Sequence, residues 1–239
     1  MKLQLSVLSL GVAVALMSAA PDAAGRPSLT SRHVARQSVP PSLAAAVAAV
    51  RGELRGIPQQ GLVLGNSSAP VTVFEYADLI SPPCAAAAGT VVASVIKRFV
   101  RSGVVNVEFE PIVESPVSEE LALGAFAAGA QSLGWDYAQL AYIRSTALSN
   151  GPLDSPGTLA GALGLNLRLW GSALRRPLWP HMIEKAASVA LIGNFTAYPV
   201  FIVRSAADVF APPFIRVLRA PVTFAKLSAT IRTAVRTVG

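Results

Sequence analysis

The sequence has few of the residues that build redox pairs and metal sites. It contains one cysteine, Cys84, and two histidines, His33 and His181, in 239 residues. A single cysteine excludes an intrachain disulfide, a CxxC redox pair and a zinc site made of thiolates. His33 lies in a polar leader and His181 directly follows Trp179-Pro180, so neither histidine indicates a metal site. We therefore expect no metal ion and no cofactor.

Charged residues are also scarce. They make up 14% of the chain, whereas 52% of the residues are hydrophobic, and this balance excludes a disordered or fibrous protein. The net charge is +7, from 20 Lys and Arg against 13 Asp and Glu. The cationic residues form no run of five or six and are not interleaved with aromatic residues, so we expect no nucleic-acid partner. The length fits one domain, or one domain with a helical insertion.

The N-terminus has the pattern of a signal peptide. A positive start, Met1-Lys2, precedes an apolar stretch over residues 3–17 that is too short to span a bilayer comfortably. Ser18 and Ala20 are small residues at a plausible cleavage spacing. We therefore predict a signal peptide over residues 1–20 and an extracytoplasmic location: secreted, periplasmic or in the cell envelope. Pro21 is unfavourable for cleavage, and an uncleaved segment would be a membrane anchor, the one case in which we expect contact with a membrane.

A linker and a helix follow the leader. Residues 21–41 are rich in Pro, Ser, Arg and Gly and have no apolar period, which predicts a flexible linker. Ser42 is a suitable N-cap for a helix over residues 43–55, and residues 42–58 then form an N-terminal helix and connector. The predicted apolar face of this helix consists of Leu43, Val47, Val50 and Leu54.

The region from residue 60 begins with alternating strand and helix patterns. Residues 61–65 are a short apolar run, and residues 71–76 are dense in β-branched and aromatic side chains, as is typical of a strand. Residues 85–100 have the apolar period of a helix, and residues 104–112 form a second strand pattern. This strand–helix–strand order predicts a right-handed parallel crossover.

The rest of the chain returns to strands after a helical block. Residues 116–193 are almost wholly helical in pattern and interrupt the strands. Residues 199–204 predict a third strand, and the apolar run 209–218 is expected to pair beside it. Residues 224–238 predict a closing helix. The class is therefore α/β with a helical insertion.

The segment that joins the first long strand to its helix resembles a known family. Residues 69–78, APVTVFEYAD, lead into Ser81-Pro82-Pro83-Cys84. The DsbA-like branch of the thioredoxin superfamily carries A-P-V-T-V-x-E-F-x-D followed by C-P-x-C, and weaker matches continue at residues 164–166 and 196–201. The resemblance covers residues 60–238. It implies a thioredoxin fold, with a central mixed β-sheet flanked by helices and an inserted helical subdomain over about residues 116–193.

One departure from the family concerns its reaction. Family members attack a disulfide with the first cysteine as a thiolate, and the second cysteine resolves the mixed disulfide. Ser81 stands at the first position, and no histidine nearby could act as its base. The simpler interpretation is that Ser81 is an N-cap whose side-chain oxygen accepts from the amide of Cys84, with Pro82 at the first helical position. Pro82 and Pro83 lack an N–H, so this helix start should bind an anion or a thiolate poorly.

Cys84 and Glu75 each have two interpretations. Cys84 is either a small buried apolar residue or a monothiol that forms a mixed disulfide with a partner thiol protein. Glu75 shares a strand face with Val71 and Val73, where a carboxylate is costly unless it is paired or protonated. The resemblance implies that Glu75 lies beneath the active site and assists proton movement. The alternative is a salt bridge to an arginine at the end of the sheet.

The segment around Pro199 carries the second departure. The resemblance implies that Pro199 is cis and that the backbone of Tyr198 is presented to an extended peptide. Tyr198 replaces the usual Thr or Val, so it either covers the groove or offers it an aromatic contact. The alternative for Pro199 is an ordinary proline at a strand edge. Four other aromatic residues are expected in the core: Trp135, Trp170, Trp179 and Phe195.

Three functions remain open, and enzyme activity is undecided because the CxxC pair is incomplete. The first is monothiol exchange through Cys84, and the second is a redox-inactive module that binds extended or unfolded polypeptide. The third follows kappa-class glutathione transferases, thioredoxin-fold enzymes in which a serine at the place of Ser81 contacts the sulfur of glutathione. Pro82, Pro83, Tyr198 and Pro199 are the expected substrate-binding residues, and Cys84, Ser81 and Glu75 are the candidates for chemistry.

Overall fold

The computed structural model describes residues 42–147, 154–206 and 212–238. The predicted signal peptide (residues 1–20) and linker (residues 21–41) lie outside the described residues, as do residues 209–211 of the last apolar run.

The centre of the described chain is a mixed six-stranded sheet in the order β1-β2-β4-β3-β5-β6. Strands β3 and β4 are parallel, with Val71 opposite Val105, and the other neighbouring pairs are antiparallel. The predicted parallel crossover is therefore confirmed. The strands are β1 Gln59–Gln60, β2 Val63–Leu64, β3 Val71–Ala77, β4 Val105–Pro111, β5 Val200–Ser205 and β6 Ile215–Leu218.

Helices surround the sheet. In the described residues they are α1 Leu43–Leu54, α2 Pro82–Val100, α3 Pro116–Gly129, α4 Gly134–Ala147, α5 Pro156–Ala162, α6 Leu167–Ala173, α7 Leu178–Ile192 and α8 Phe224–Arg236. Ser42 caps α1 by accepting from the backbone N–H of Ala45 at 3.2 Å. Val47, Val50 and Leu54 are buried, as their spacing predicts.

Helix α2 follows β3 along the chain and begins within the segment Ser81-Pro82-Pro83-Cys84. It begins at Pro82, three residues earlier than its apolar period indicates, and contains two π-helical turns, Ala88–Val92 and Ile96–Val100. Its 19 residues are long and apolar enough to cross a membrane by length and composition. More than half of it is buried inside the fold, however, so its hydropathy is that of a core helix.

The two faces of the sheet bury different sets of residues. On one face, Val71 and Val73 share a core cluster with Ile96 of α2 and Leu227 of α8. On the other face, side chains from β3 and β5 pack against α7; this second cluster contains Tyr76, Val200, Ala186 and Ala190. Helix α7, the last helix of the predicted insertion 116–193, therefore packs on the sheet itself.

Aromatic residues join the inserted helices to the sheet. The indole of Trp135 is buried and donates to the backbone oxygen of Leu62 at 2.8 Å. The indole of Trp170 donates to the backbone oxygen of Gly124 at 3.0 Å, which ties α6 to α3. Trp179 is half-buried and stacks on Phe126 with ring centroids 5.1 Å apart. Because each buried indole has a hydrogen-bond acceptor, Trp135 and Trp170 are core residues, and Trp179 packs against the core.

Candidate functional site

The site is centred on the turn between β3 and α2. The backbone N–H of Ser81 donates to the backbone oxygen of Asp78 at 3.2 Å, and the carboxylate of Asp78 accepts from the backbone N–H of Ile80 at 2.8 Å. An aspartate that accepts from the amide two residues further on is a common turn device. This turn places Ser81, Pro82, Pro83 and Cys84 at the carboxyl end of the central strand.

Ser81 is the N-cap of α2, but not in the predicted way. Its backbone oxygen accepts from Ala85 at 3.0 Å, whereas its side chain makes no capping hydrogen bond. The expectation that the Ser81 oxygen accepts from the amide of Cys84 is therefore wrong. The side chain instead hydrogen bonds to the thiol of Cys84, which lowers the pKa of that thiol in opposition to burial.

The thiol of Cys84 is shielded and poorly acidic. Its exposed fraction is 0%, and burial raises its pKa to about 11. Hydrogen bonds from the side chain of Ser81 and the backbone of Asp78 lower that pKa but do not cancel the effect of burial. Pro82 and Pro83 also remove two N–H donors from the first turn, where an ordinary helix would stabilise a thiolate. Near neutral pH Cys84 is therefore a protonated, buried side chain.

Glu75 lies beneath the thiol in the apolar face of the sheet. It is 1% exposed, and burial raises its pKa from 4.5 to about 8. Among the described residues, neither carboxyl oxygen has a hydrogen-bond partner. Of the two interpretations of Glu75, the role in proton movement stays a prediction, and the salt bridge to an arginine is therefore wrong. The reason is register: the residues directly opposite Glu75 on the adjacent strands are Phe109 and Phe201, both buried.

Tyr198 and Pro199 lie beside α2, and the peptide bond between them is cis. Together with Pro83 they line an open groove of about 500 Å³. Pro82 is exposed and is not part of the lining. The remaining lining residues are Ala86, Ala87, Thr90, Val91, Ala197, Ala220, Pro221 and Val222. Three of the four predicted substrate-binding residues therefore share one groove.

Sequence reasoning missed the walls of this groove. Ala86 and Thr90 lie one turn apart on the exposed side of α2, and Pro221 and Val222 follow β6. Alanines within an apolar helix carry no signal that separates a lining position from a core position. The dipeptide Ala220-Pro221 is a turn signal in the sequence, and it lies in the segment that forms the wall of the groove opposite α2.

The hydroxyl of Thr90 is already engaged, because it donates to the backbone oxygen of Ala86 at 2.7 Å. The side chains of the groove therefore offer mainly apolar contact. In the part of the chain that the structure describes, no three His, Cys, Asp or Glu side chains lie close enough together to hold a metal ion.

Comparisons with known proteins place this arrangement in context. A family model described as Thioredoxin matches residues 58–146, which span the hairpin, the crossover and the start of the insertion. A search of curated proteins finds no match. Solved structures with a similar fold include alpha-DsbA1 of Wolbachia pipientis, with 13% identity over 77% of this chain and 92% of that one, at a TM-score of 0.62.

Two further structures have similar scores. BdbD of Bacillus subtilis, in its oxidised form, has 19% identity over 75% of this chain and 98% of its own, at a TM-score of 0.58. DsbA2 of Pseudomonas aeruginosa has 19% identity over 75% of this chain and 96% of its own, at a TM-score of 0.55. The match of the family model to residues 58–146 and the shared arrangement of sheet and helices show that this chain has a thioredoxin-like fold similar to that of the DsbA structures.

Proposed function

We propose that this protein is an extracytoplasmic, redox-inactive DsbA-like module that binds extended apolar polypeptide in the groove between Pro83, Tyr198 and Pro221. The observation that carries the proposal is a contrast at one site. The only thiol is sealed from solvent, whereas the groove beside it is open. The signal-peptide pattern of residues 1–20 supports the location.

Monothiol exchange is the weaker candidate. Exchange requires a thiolate that an incoming disulfide can reach in line. With a pKa of about 11, only about one Cys84 in 10,000 would be ionised at pH 7, and the sulfur is buried in addition. The glutathione-binding alternative needs a helix start that supports a thiolate beside Ser81, but Pro82 and Pro83 remove two N–H donors there.

The groove has the properties that an extended peptide requires. Its volume lies within the range of about 300–1,000 Å³ that is common for ligand sites. Among the described residues, no hydrogen bond is found from the backbone N–H of Ala197 or Tyr198, and both residues line the groove. A peptide in an extended conformation could pair with this backbone as a strand does, while its side chains contact the apolar walls.

The test uses an alanine that lines the groove and a matched alanine that does not. Ala86 and Ala48 are both exposed residues in the interior of a helix. Ala86→Trp would fill the groove, and we expect it to weaken binding of a fluorescent six-residue apolar peptide at least tenfold, measured by anisotropy on the full chain. Ala48→Trp, on α1, should leave the affinity within twofold of the wild type.

Two results would overturn the proposal. One is an unchanged affinity in the Ala86→Trp variant, which would show that the peptide binds elsewhere. The other is catalytic reduction of insulin by the wild-type protein, which would show that Cys84 is redox-active in spite of its burial.

A further inference from the structure

A second groove lies on the other side of Tyr198. It has a volume of about 330 Å³ and is bounded by helix α7, by the segment that follows β4 and by the loop that leads to Tyr198. Tyr198 lines both grooves and is half-buried between them. The residues that line only the second groove are Ile112, Val113, Glu114, Ile183, Ala187, Ala190, Leu191, Asn194 and Phe195.

The wall from α7 is an apolar stripe without a covering element in the described chain. Ile183, Ala187 and Leu191 follow each other at intervals of four residues, so they lie on one face of the helix. Leu191 is 83% exposed and the adjacent Ile192 is 86% exposed, the highest values among the large apolar side chains of the described residues. Contiguous apolar surface of this kind marks binding sites.

The loop at the end of α7 is held in place, so the groove is preformed. The backbone N–H of Phe195 donates to the oxygen of Ala190 at 2.9 Å, and its ring packs edge-to-face on Tyr76 at 5.7 Å. The guanidinium of Arg219 donates to the oxygen of Gly193 at 2.7 Å and lies over the ring of Phe195. A preformed groove binds a ligand without first paying the entropy of ordering its own walls.

One carboxylate gives this groove a charge preference. Glu114 is the single charged residue of its lining, and it is exposed. Within the described ranges, no cation lies at ion-pair distance from it. Glu114 is also near the ridge between the grooves: burial first, and then the charge of Glu114, raise the pKa of Tyr198. A ligand with a Lys or Arg side chain would supply the missing opposite charge.

We propose that the polypeptide-binding surface continues over Tyr198 into this second groove, which takes a further apolar stretch of the same client with a Lys or Arg opposite Glu114. This inference rests on the proposed function, because it names the client that the first groove would hold. An extended chain advances about 3.3 Å per residue, so a client of about ten to twelve residues, roughly 33–40 Å long, is enough to occupy two adjacent sites.

The experiment compares a short peptide with longer ones on the full chain. The short peptide is the six-residue apolar peptide that tests the first groove. The longer peptides add six residues containing two Leu and one Lys, at the N-terminus in one and at the C-terminus in the other, and a matched pair has Glu in place of the Lys. The protein variants are Ala187→Trp, which fills the second groove, and Glu114→Gln.

We expect one of the two Lys peptides to bind the wild type at least tenfold more tightly than the short peptide. Ala187→Trp should lower the affinity for this longer Lys peptide to that of the short peptide, and it should leave the affinity for the short peptide unchanged. Glu114→Gln should reduce the preference for Lys over Glu at least threefold. Leu191→Ser, at an exposed position, should cause the same loss of affinity for the longer Lys peptide. Ala48→Trp should change none of these peptide affinities.

The possible failures are distinct. If the short peptide binds but Ala187→Trp and Leu191→Ser leave the longer peptides as tight as in the wild type, the second groove is refuted while the proposed function stands. If the extension adds no affinity to the wild type, the second groove is refuted as well. If no peptide binds, both proposals are overturned.

Discussion

Replacing Glu75 with glutamine should remove a large part of the pH dependence of stability. The carboxyl group is buried without a hydrogen-bond partner in the described chain, and its pKa in the folded protein is about 8. In the unfolded chain the pKa returns to about 4.5. Between these two values the folded state keeps a proton that the unfolded state has lost.

The sign and size follow from proton linkage. The contribution of Glu75 to the free energy of unfolding is highest below pH 4.5 and falls by about 1.4 kcal/mol per pH unit as the pH rises, until the loss levels off above pH 8. The loss amounts to about 3 kcal/mol at pH 7 and about 5 kcal/mol above pH 8. Glu75→Gln cannot ionise, so this slope should be absent from the variant.

The assay is urea unfolding of the wild type and Glu75→Gln at pH 5, 6, 7 and 8. The difference in unfolding free energy between the two proteins should change by about 1.4 kcal/mol per pH unit in favour of the variant, because contributions from other groups cancel. Glu119→Gln, at an exposed carboxylate of α3, is the control and should follow the wild type. Curves for the wild type and Glu75→Gln that run parallel from pH 5 to pH 8 would refute the reasoning.

Two further predictions test the packing around the site. Cys84, with no exposed surface, should react with an aromatic disulfide reagent at pH 8 only as fast as the protein unfolds, and a fast reaction in the folded state would contradict its burial. Gly129→Ala should lower the free energy of unfolding by about 1–3 kcal/mol, because a Cβ at this position would lie 2.7–2.9 Å from backbone atoms of Gly61. Gly89→Ala is the matched change: a Cβ there meets no atom within 4 Å, and alanine at a helical position should stabilise the protein by about 0.5–1 kcal/mol. Urea titrations of both glycine variants decide the comparison, and an equal effect of the two would contradict it.

The central sheet could be predicted from the sequence because its strands are strongly patterned. Residues 71–76 are rich in β-branched and aromatic side chains, and the strand is observed as Val71–Ala77, with alternating burial over residues 71–74. Strand β1 could not be found, because Gln59–Gln60 is two polar residues long and carries no period. Its place is set by tertiary contacts: the side chain of Gln59 donates to Asp136 and accepts from the backbone of Trp135.

The candidate site was only partly predictable. The serine at position 81 and the lone cysteine are visible in the sequence, and they exclude a cysteine pair within the chain. Two features depend on side-chain packing between distant segments: the lack of a hydrogen-bond partner for Glu75 among the described residues, and the two grooves that meet at Tyr198. Local pattern carries no information about such contacts, so the burial of Cys84 could be weighed but not decided from the sequence.

The consecutive prolines at the start of α2 bear on how this chain could change during evolution. Exchange of Ser81 for cysteine would supply a second sulfur, but the new thiol would stand at a helix end with two amides missing. Cys84 would still lie in the protein interior near Glu75, whose carboxyl oxygens have no hydrogen-bond partner among the described residues. A redox-active cysteine pair at this turn would therefore need several concerted substitutions, because exchange of Ser81 alone leaves both obstacles in place.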